Sequence, residues 1–310
     1  MLRRTFLWLS EQSGVFNFVK KNRLARRVAS RFVAGETLES AVEVGRALNA
    51  RGITVSLDLL GESVSSAEET RAARNEVLRT LEAIARAEID GNVSVKPTQL
   101  GLDISADLCA ENMRQILIRA KDLEIFVRMD MESSAHTERT LRLFYDELHP
   151  TFGNLTGVVI QSYLRRSTRD IDDLVALGAR VRLCKGAYAE PPEVAFQERH
   201  EVSESFAALA QTLLDRGTYP AIATHDPALI DQTIAYAGER GIPPSRYEFQ
   251  MLYGVRRDLQ DSLRAQGYNV RVYVPFGTHW YPYLMRRLAE RPSNVSFMVA
   301  SLAKETFGRR

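Results

Sequence analysis

Short apolar runs rich in β-branched residues alternate along the chain with segments of helical periodicity. The runs that predict strands are residues 54–60, 93–97, 125–131, 157–163, 181–188, 221–225, 247–254 and 270–277. Between the first two, residues 67–88 repeat apolar side chains such as Ala73, Val77 and Leu81 at the spacing of one helix face. Nearly continuous apolar strands separated by helices predict parallel strands that are buried on both faces.

Eight such strand-and-helix units predict an α/β protein built as a (β/α)8 TIM-type barrel with extra N-terminal helices. An open doubly wound sheet is the alternative, but no Gly-x-Gly-x-x-Gly motif follows the first strand. Residues 37–52 predict one of the extra helices, with Thr37 as its N-cap and Gly52 as its stop. Because no Gly-, Pro- or Ser-rich linker interrupts the chain, residues 1–310 are expected to form a single domain. Within it, a helical segment (1–50) precedes the barrel (51–310).

The segment YPYLMRRLAERP (281–292) predicts a closing helix over residues 281–291 with two different faces. At about 100° per residue, Tyr283, Arg286 and Arg287 share one side, and the apolar residues occupy the other. A solvated charged face explains this pattern, with the tyrosine lying alongside the arginine stems. A clamp for an anionic ligand explains it as well.

Composition and charge narrow the class of protein. The chain is 45% hydrophobic and 26% charged, as soluble enzymes are, and its net charge of +2 gives no reason to expect a nucleic-acid partner. Residues 1–35 carry +7, which suits either an anionic membrane surface or a solvated helix. Cys109 and Cys184 are too few and too far apart for a disulfide framework or a cysteine-rich zinc site, so a reducing cytoplasm fits best. No apolar run reaches the roughly 18 residues of a membrane span.

The predicted carboxyl ends of all eight strands carry polar residues, where barrels place their catalytic groups. These residues are Asp58, Glu62, Lys96, Arg128, Asp130, Glu132, Gln161, Arg182, Lys185, Thr224, His225, Gln250 and Tyr273. Any single one could form an ion pair or cap a helix, but burying so many charges costs several kcal/mol unless partners or a ligand compensate. The many cations at these ends, Arg128 among them, and the absence of metal-binding His spacings favour an anionic ligand over a metal.

The run KGAY places two small residues, Gly186 and Ala187, directly after Lys185. Small side chains let backbone N–H groups approach a phosphate or a flat ring closely, although the motif is weak alone. Thr224 and His225 could hydrogen-bond to the same ligand. Alternatively, the imidazole of His225 could make its hydrogen bonds to protein groups at the rim of the barrel.

In their order along the chain, the strand-end motifs resemble those of monofunctional bacterial proline dehydrogenases, over about residues 33–300. The motifs are LDLLGE (57–62), VSVK (93–96), RMDME (128–132), VIQSYL (159–164), RLCKGAY (182–188), ATHD (223–226), EFQMLYG (248–254), RVYVPFG (271–277) and YLMRRLAERP (283–292). The resemblance implies a distorted (β/α)8 barrel that uses FAD. It also implies oxidation of L-proline to Δ1-pyrroline-5-carboxylate by hydride transfer to flavin N5, the first step of proline catabolism to glutamate. A membrane quinone would reoxidise the flavin, so the protein would lie peripherally at the inner face of the cytoplasmic membrane. A pyrroline-5-carboxylate dehydrogenase would be a partner for the product.

The resemblance also implies a role for each matching residue. Arg286 and Arg287 would bind the proline carboxylate, in a substrate pocket completed by Lys96, Leu252 and Tyr283. Asp130, Arg182 and Tyr273 would act in catalysis. The FAD contacts would be Met131, Gln161, Arg182, Lys185, Gly186, Ala187, Thr224 and His225. Glu62 would act as a gate by pairing with Arg286 when the site is empty, and no metal is implied.

Two other function classes compete with this interpretation. In a Schiff-base lyase or aldolase, Lys96 or Lys185 would be the nucleophile and the arginines would bind phosphate. A non-enzymatic barrel that binds a polar ligand is the third hypothesis. Within the first class hydroxyproline is a rival substrate, although close packing by Tyr273 should disfavour its added hydroxyl.

Overall fold

The computed structural model of the chain describes residues 29–61 and 64–290, with residues 286–290 given by their backbone alone. Within this part, eight parallel strands close into one barrel in sequence order. The strands are β1 (Thr54–Leu59), β2 (Gly91–Val95), β3 (Val127–Met129), β4 (Thr156–Gln161), β5 (Arg180–Cys184), β6 (Ala221–Ala223), β7 (Glu248–Leu252) and β8 (Asn269–Phe276). β8 pairs with β1, where Thr54 lies opposite Arg271, and this closes the barrel. The predicted (β/α)8 class and all eight predicted strands are confirmed.

Helices surround the barrel and connect its strands. They are α1 (Leu38–Asn49), α2 (Ala67–Arg86), α3 (Ala106–Asp122), α4 (Ser134–Leu143), α5 (His149–Phe152), α6 (Ser167–Ala176), α7 (Arg199–Arg216), α8 (Pro227–Glu239), α9 (Arg257–Ala265) and α10 (Trp280–Glu290). A short π-helix (Phe144–Leu148) joins α4 to α5. The closing helix α10 lies where a helix over residues 281–291 was predicted, and residue 291 is outside the described part. None of the helices in the described part is long and apolar enough to cross a membrane.

The helix predicted ahead of the first strand is α1, and its N-cap is confirmed. The side chain of Thr37 accepts a hydrogen bond from the backbone N–H of Ser40. The helix ends at Asn49, ahead of the predicted stop, and the left-handed φ of +71° at Gly52 belongs to the turn that leads into β1. The rest of the predicted N-terminal helical segment, residues 1–28, lies outside the described residues.

Helix α2 shows how local sequence fixes an element against the barrel. Ser66 and Glu69 form a reciprocal capping box at its start, which typically stabilises a helix by about 1 kcal/mol. Ala73, Val77 and Leu81 are buried on one face, as their spacing predicts. That face packs on the outer surface of the strands, so the barrel interior is left to the side chains that alternate inward.

The amino end of the barrel interior is filled by charged side chains. Arg271 Nε donates to both carboxylate oxygens of Glu248 at 3.1 Å, and Arg128 Nη1 donates to the carbonyls of Val158 at 3.0 Å and Arg180 at 2.7 Å. Burial alone would raise the pKa of Glu248, but Arg271, together with the hydrogen bond from Gln250 and the charge of Arg128, offsets this and lowers it.

The prediction that Arg128 joins the cations at the barrel mouth is therefore wrong. Inward-facing residues alternate along a strand, so Arg128 lies one layer below Asp130, which follows the end of β3. Its guanidinium extends towards the starts of β4 and β5 and satisfies carbonyl groups there. Arg128 thus closes the bottom of the barrel.

Gly157 in β4 leaves no room for a side chain in this packing. A Cβ built there would lie 2.3 Å from the carbonyl oxygen of Arg180 and 2.8 Å from Nη1 of Arg128. Backbone cannot move aside cheaply, so Gly157→Ala is expected to destabilise the protein by about 2–3 kcal/mol. Thermal unfolding measures the effect as a lowered Tm.

Gly238 in α8 provides the matched control for this substitution. A Cβ there meets nothing within 4 Å, and alanine favours a helix over glycine by about 1 kcal/mol. Gly238→Ala should therefore keep or raise Tm. Equal Tm values for the two variants would contradict the close approach at Gly157.

Candidate functional site

A cavity of about 420 Å³ opens at the carboxyl ends of the strands, a volume typical of small-molecule sites. Its wall contains the predicted site residues Lys96, Asp130, Met131, Gln161, Arg182, Lys185, Gly186, Ala187, Thr224, His225, Leu252, Tyr273 and Tyr283. These are all the predicted site residues whose side chains the structure describes. Because Tyr283 belongs to α10, the closing helix reaches the mouth of the barrel.

Three predicted site residues remain untested by geometry. Arg286 and Arg287 lie in α10, but their side chains are not among those described. Glu62, the predicted gate, lies outside the described residues. The roles of these three residues stay predictions.

Asp130 lies between the two other predicted catalytic residues, Arg182 and Tyr273. Its Oδ1 accepts a hydrogen bond from Arg182 Nη1 and its Oδ2 accepts one from the Tyr273 hydroxyl, both at 2.8 Å. Arg182 also donates to Ser94 Oγ at 3.0 Å, and its guanidinium lies 5.3 Å from the centre of the Tyr273 ring. Burial, and then the charge of Asp130, raise the pKa of Tyr273 well above its usual value. The phenol therefore remains a neutral donor, and the arginine is held in one orientation.

Asp58, one of the polar residues at the predicted strand ends, joins this group, although no specific role was predicted for it. Lys96 Nζ lies 2.7 Å from Asp58 Oδ1, and both side chains are buried. Burial raises the pKa of Asp58 to about 6, with Lys96 opposing the shift and Asp130 adding to it. The available signal was its place in LDLLGE, at the carboxyl end of the first strand.

The KGAY segment after β5 is fixed by the contacts of Lys185 and by the ring of Tyr163 against Gly186. Lys185 Nζ donates to Asp226 Oδ2 at 2.8 Å and to Ser203 Oγ at 3.0 Å. Gly186 has a φ of +102°, and a Cβ there would lie 2.3 Å from Cδ1 of Tyr163. The Tyr163 ring lies directly against the backbone of Gly186, so only glycine fits at this position. The missing side chain also leaves space in the cavity.

Thr224 and His225 make contacts at the barrel rim. Nε2 of His225 accepts a hydrogen bond from the backbone N–H of Leu252 at 2.8 Å, so that nitrogen carries no proton. Thr224 Oγ1 accepts one from the N–H of Asp226 at 3.2 Å. The rim therefore occupies one nitrogen of His225, while both residues still line the cavity.

Gln161 and Arg182 each bring to the cavity wall a buried polar atom that has no hydrogen-bond partner within the described residues. Gln161 donates through Nε2 to the carbonyl of Met131 at 3.3 Å, while its Oε1 has no donor, and Nε of Arg182 has no acceptor. An unsatisfied buried polar group costs about 1–3 kcal/mol. A flat heterocycle that offers both N–H and C=O groups, as a flavin does, fits this pair. No group of residues suited to hold a metal ion occurs in the described part of the chain.

Comparison with known proteins gives consistent results at the levels of family, sequence and fold. The model of the proline dehydrogenase family matches residues 41–300. "Proline dehydrogenase 2" of Bacillus subtilis (strain 168) is 43% identical over 305 residues, which cover 98% of this chain and 100% of that protein. "Proline dehydrogenase" of Deinococcus radiodurans is 38% identical over 307 residues, 98% of either chain.

A similar solved structure is that of proline utilization A (PutA) from Bdellovibrio bacteriovorus inactivated by N-propargylglycine. It has a TM-score of 0.82 and 28% sequence identity, and the match covers 93% of this chain. The same match covers 35% of the PutA chain, so this protein spans about a third of the length of that structure. The likeness therefore concerns one barrel domain of the longer protein.

Proposed function

The chain belongs to the proline dehydrogenase family, and from that premise we propose that it oxidises L-proline with bound FAD and passes the electrons to a membrane quinone. Proline dehydrogenases are oxidoreductases that carry out the first step of proline catabolism, and this chain is one of them. The observation that carries the finer proposal is the convergence of the predicted residues on one cavity, with Asp130 between Arg182 and Tyr273.

The cofactor part of the proposal rests on the wall formed by β4 and β5. Gln161 Oε1 and Arg182 Nε would satisfy the edge of a flavin ring, and the backbone at Gly186 and Ala187 leaves room beside it. Met131, Lys185, Thr224 and His225 would complete the FAD contacts. A flavin bound there would supply a hydride acceptor at N5. Arg182, fixed by Asp130 and Ser94, would place positive charge where negative charge develops during reduction.

The substrate part of the proposal concerns orientation of the proline ring. Arg286 and Arg287 would hold the carboxylate through charge-assisted, bidentate hydrogen bonds, with Lys96 as a further cation. Tyr273, Tyr283 and Leu252 would enclose the ring. A held carboxylate fixes the carbon that loses hydride, and positioning is most of what hydride transfer requires of the protein.

The lyase hypothesis is disfavoured by the state of the two lysines. Lys96 is paired with Asp58 and Lys185 with Asp226, each at 2.8 Å or less. An amine held by a carboxylate in an ion pair is not free to attack a carbonyl carbon. Neither lysine is therefore prepared to form a Schiff base.

The remaining parts of the proposal concern organisation and partners. Residues 1–310 would form a single proline dehydrogenase domain, which would lie in the cytoplasm, peripherally at the inner face of the cytoplasmic membrane. A separate pyrroline-5-carboxylate dehydrogenase would take the product. Glu62 would close the empty site by pairing with Arg286, and a Glu62→Ala variant with parental kinetics would contradict that gate.

Analysis of the released cofactor tests the cofactor and acceptor proposals. The purified protein is denatured, its flavin is identified by chromatography, and turnover is then measured with a soluble quinone analogue. We expect FAD and proline-dependent quinone reduction. Release of FMN would contradict the cofactor proposal. Turnover only with a nicotinamide acceptor would contradict the quinone proposal.

A further inference from the structure

The nitrogen of L-proline is a secondary ammonium at neutral pH, and it must lose a proton before the neighbouring carbon can release hydride. The nitrogen lone pair forms the new C=N bond, so a protonated nitrogen blocks the reaction. A group in the cavity that accepts this proton would therefore control the rate. Within the described part of the chain, four carboxylates line the cavity: Asp58, Asp130, Glu132 and Asp226.

Three of these carboxylates have both oxygens engaged. Asp130 accepts from Arg182 and Tyr273. Glu132 accepts from the backbone N–H of Thr98 at 3.0 Å and from its hydroxyl at 2.6 Å. Asp226 accepts from Lys185 at 2.8 Å and from the N–H of Ala228 at 3.2 Å. A proton arriving on any of them would have to displace an existing hydrogen bond.

Asp58 differs because one of its oxygens makes no hydrogen bond of normal geometry within the described part of the chain. Its Oδ1 accepts from Lys96 at 2.7 Å, while its Oδ2 is buried and has no such partner. The Tyr273 hydroxyl, which donates to Asp130, is close enough to lower the pKa of Asp58. We propose that Asp58 accepts the proton that the substrate ammonium loses. This inference rests on the proposed function of the same cavity and adds to it the residue that activates the substrate.

The proton transfer balances without any other reactant. One N–H bond of the substrate breaks, its electron pair stays on nitrogen, and an O–H bond forms on Asp58. Because the proton arrives at Oδ2, the hydrogen bond from Lys96 to Oδ1 need not break. The proton returns to solvent when the product leaves, which restores the Asp58–Lys96 pair.

The groups around Asp58 bring the pKa of its carboxyl group close to neutral pH, which suits a proton acceptor. The described titratable and charged groups that act on it are Lys96 after β2, Asp130 after β3 and Tyr273 in β8, and Arg182 in β5 pairs with Asp130 beside it. Burial raises its pKa to about 6, with Lys96 opposing and Asp130 adding to the shift. A carboxylate with a raised pKa is a better base, and it remains ionised above about pH 6. As the pH falls through that value Asp58 becomes protonated, so substrate activation should be lost on the acid side.

The test is flavin reduction by L-proline in the holoenzyme and in an Asp58→Asn variant, followed without oxygen across a range of pH. The parent should show an acid limb near pH 6. The variant should reduce its flavin about 100-fold more slowly than the parent at neutral pH. Its rate should recover as the pH approaches the pKa of the free proline amine, because the substrate then loses its proton in solution. Its flavin content and its affinity for cyclopentanecarboxylate, a ring carboxylate without nitrogen, should equal those of the parent.

Two further variants separate this role from a general loss of charge or of folding. Glu132→Gln makes the same change in a neighbouring buried carboxylate and should keep the parental pH profile. Lys96→Met removes the cation that lowers the pKa of Asp58, so at saturating L-proline its acid limb should move to higher pH. This shift can be measured even if Asp58→Asn does not fold.

An Asp58→Asn variant with the parental rate and profile would overturn the inference, and so would an unmoved acid limb in Lys96→Met. An equal loss in Glu132→Gln would also overturn it, because the effect would then belong to any buried charge in the cavity. A parent protein that L-proline does not reduce would overturn the proposed function as well. The two failures are therefore distinguishable.

Discussion

Replacing Arg182 by methionine is expected to slow flavin reduction by L-proline by about 100- to 1000-fold. The guanidinium is buried in the cavity wall, where Asp130 and Ser94 fix it and the Tyr273 ring lies beside it. A fixed cation in a water-poor site stabilises developing negative charge far more than one in water does. Stopped-flow absorbance at saturating L-proline measures the reduction step itself.

Matched variants separate the charge of Arg182 from its structural role. Arg182→Lys keeps the positive charge but cannot bond to both Asp130 and Ser94 as the guanidinium does. Its rate of flavin reduction should therefore fall between those of the parent and of Arg182→Met. Arg216→Met makes the same change at an exposed ion pair with Asp172 and should reduce flavin at the parental rate. A folded Arg182→Met protein, shown by its Tm, with a parental reduction rate would exclude the proposed role.

Replacing Arg286 or Arg287 by methionine is expected to raise KM for L-proline by about 10- to 100-fold for each, and by more for the pair. A hydrogen bond between a guanidinium and a carboxylate contributes about 1.5–3 kcal/mol, which corresponds to that range. Loss of orientation should also lower kcat. Steady-state kinetics with a quinone analogue measures both constants.

Arg291 is the matched control for this helix. The helical pattern places it at the edge of the charged face, away from the pair, so Arg291→Met should change KM by less than about threefold. An Arg286→Met or Arg287→Met protein whose KM equals that of Arg291→Met would contradict the carboxylate clamp. The solvated-face interpretation of YPYLMRRLAERP would then be preferred.

The barrel could be predicted from sequence because its signals are local. Apolar runs of strand length, separated by segments with the periodicity of α2, repeat eight times and leave few other folds. The N-cap at Thr37 is equally local, since it depends on a side chain and an N–H three residues later. The end of α1 was predicted less well, because several residues ahead of Gly52 could end the helix.

The limits of the sequence appear where a residue's role depends on depth in the barrel. Arg128 and Asp130 lie at the same strand end in the sequence, and both side chains point into the barrel. Arg128 closes the bottom of the barrel, while Asp130 faces the cavity. Asp58 could be placed at a strand end, but its buried pair with Lys96 depends on the register of β1 against β2. Gly186 likewise needs the position of Tyr163, which no local pattern contains.

The central claim is that this cavity holds a flavin that L-proline reduces. The most direct measurement is the visible spectrum of the purified protein, recorded without oxygen before and after addition of L-proline. We predict a flavin spectrum that is bleached by L-proline, with Δ1-pyrroline-5-carboxylate appearing in equal amount. A flavin that stays oxidised, or a lysine adduct trapped by borohydride in a colourless protein, would contradict the claim.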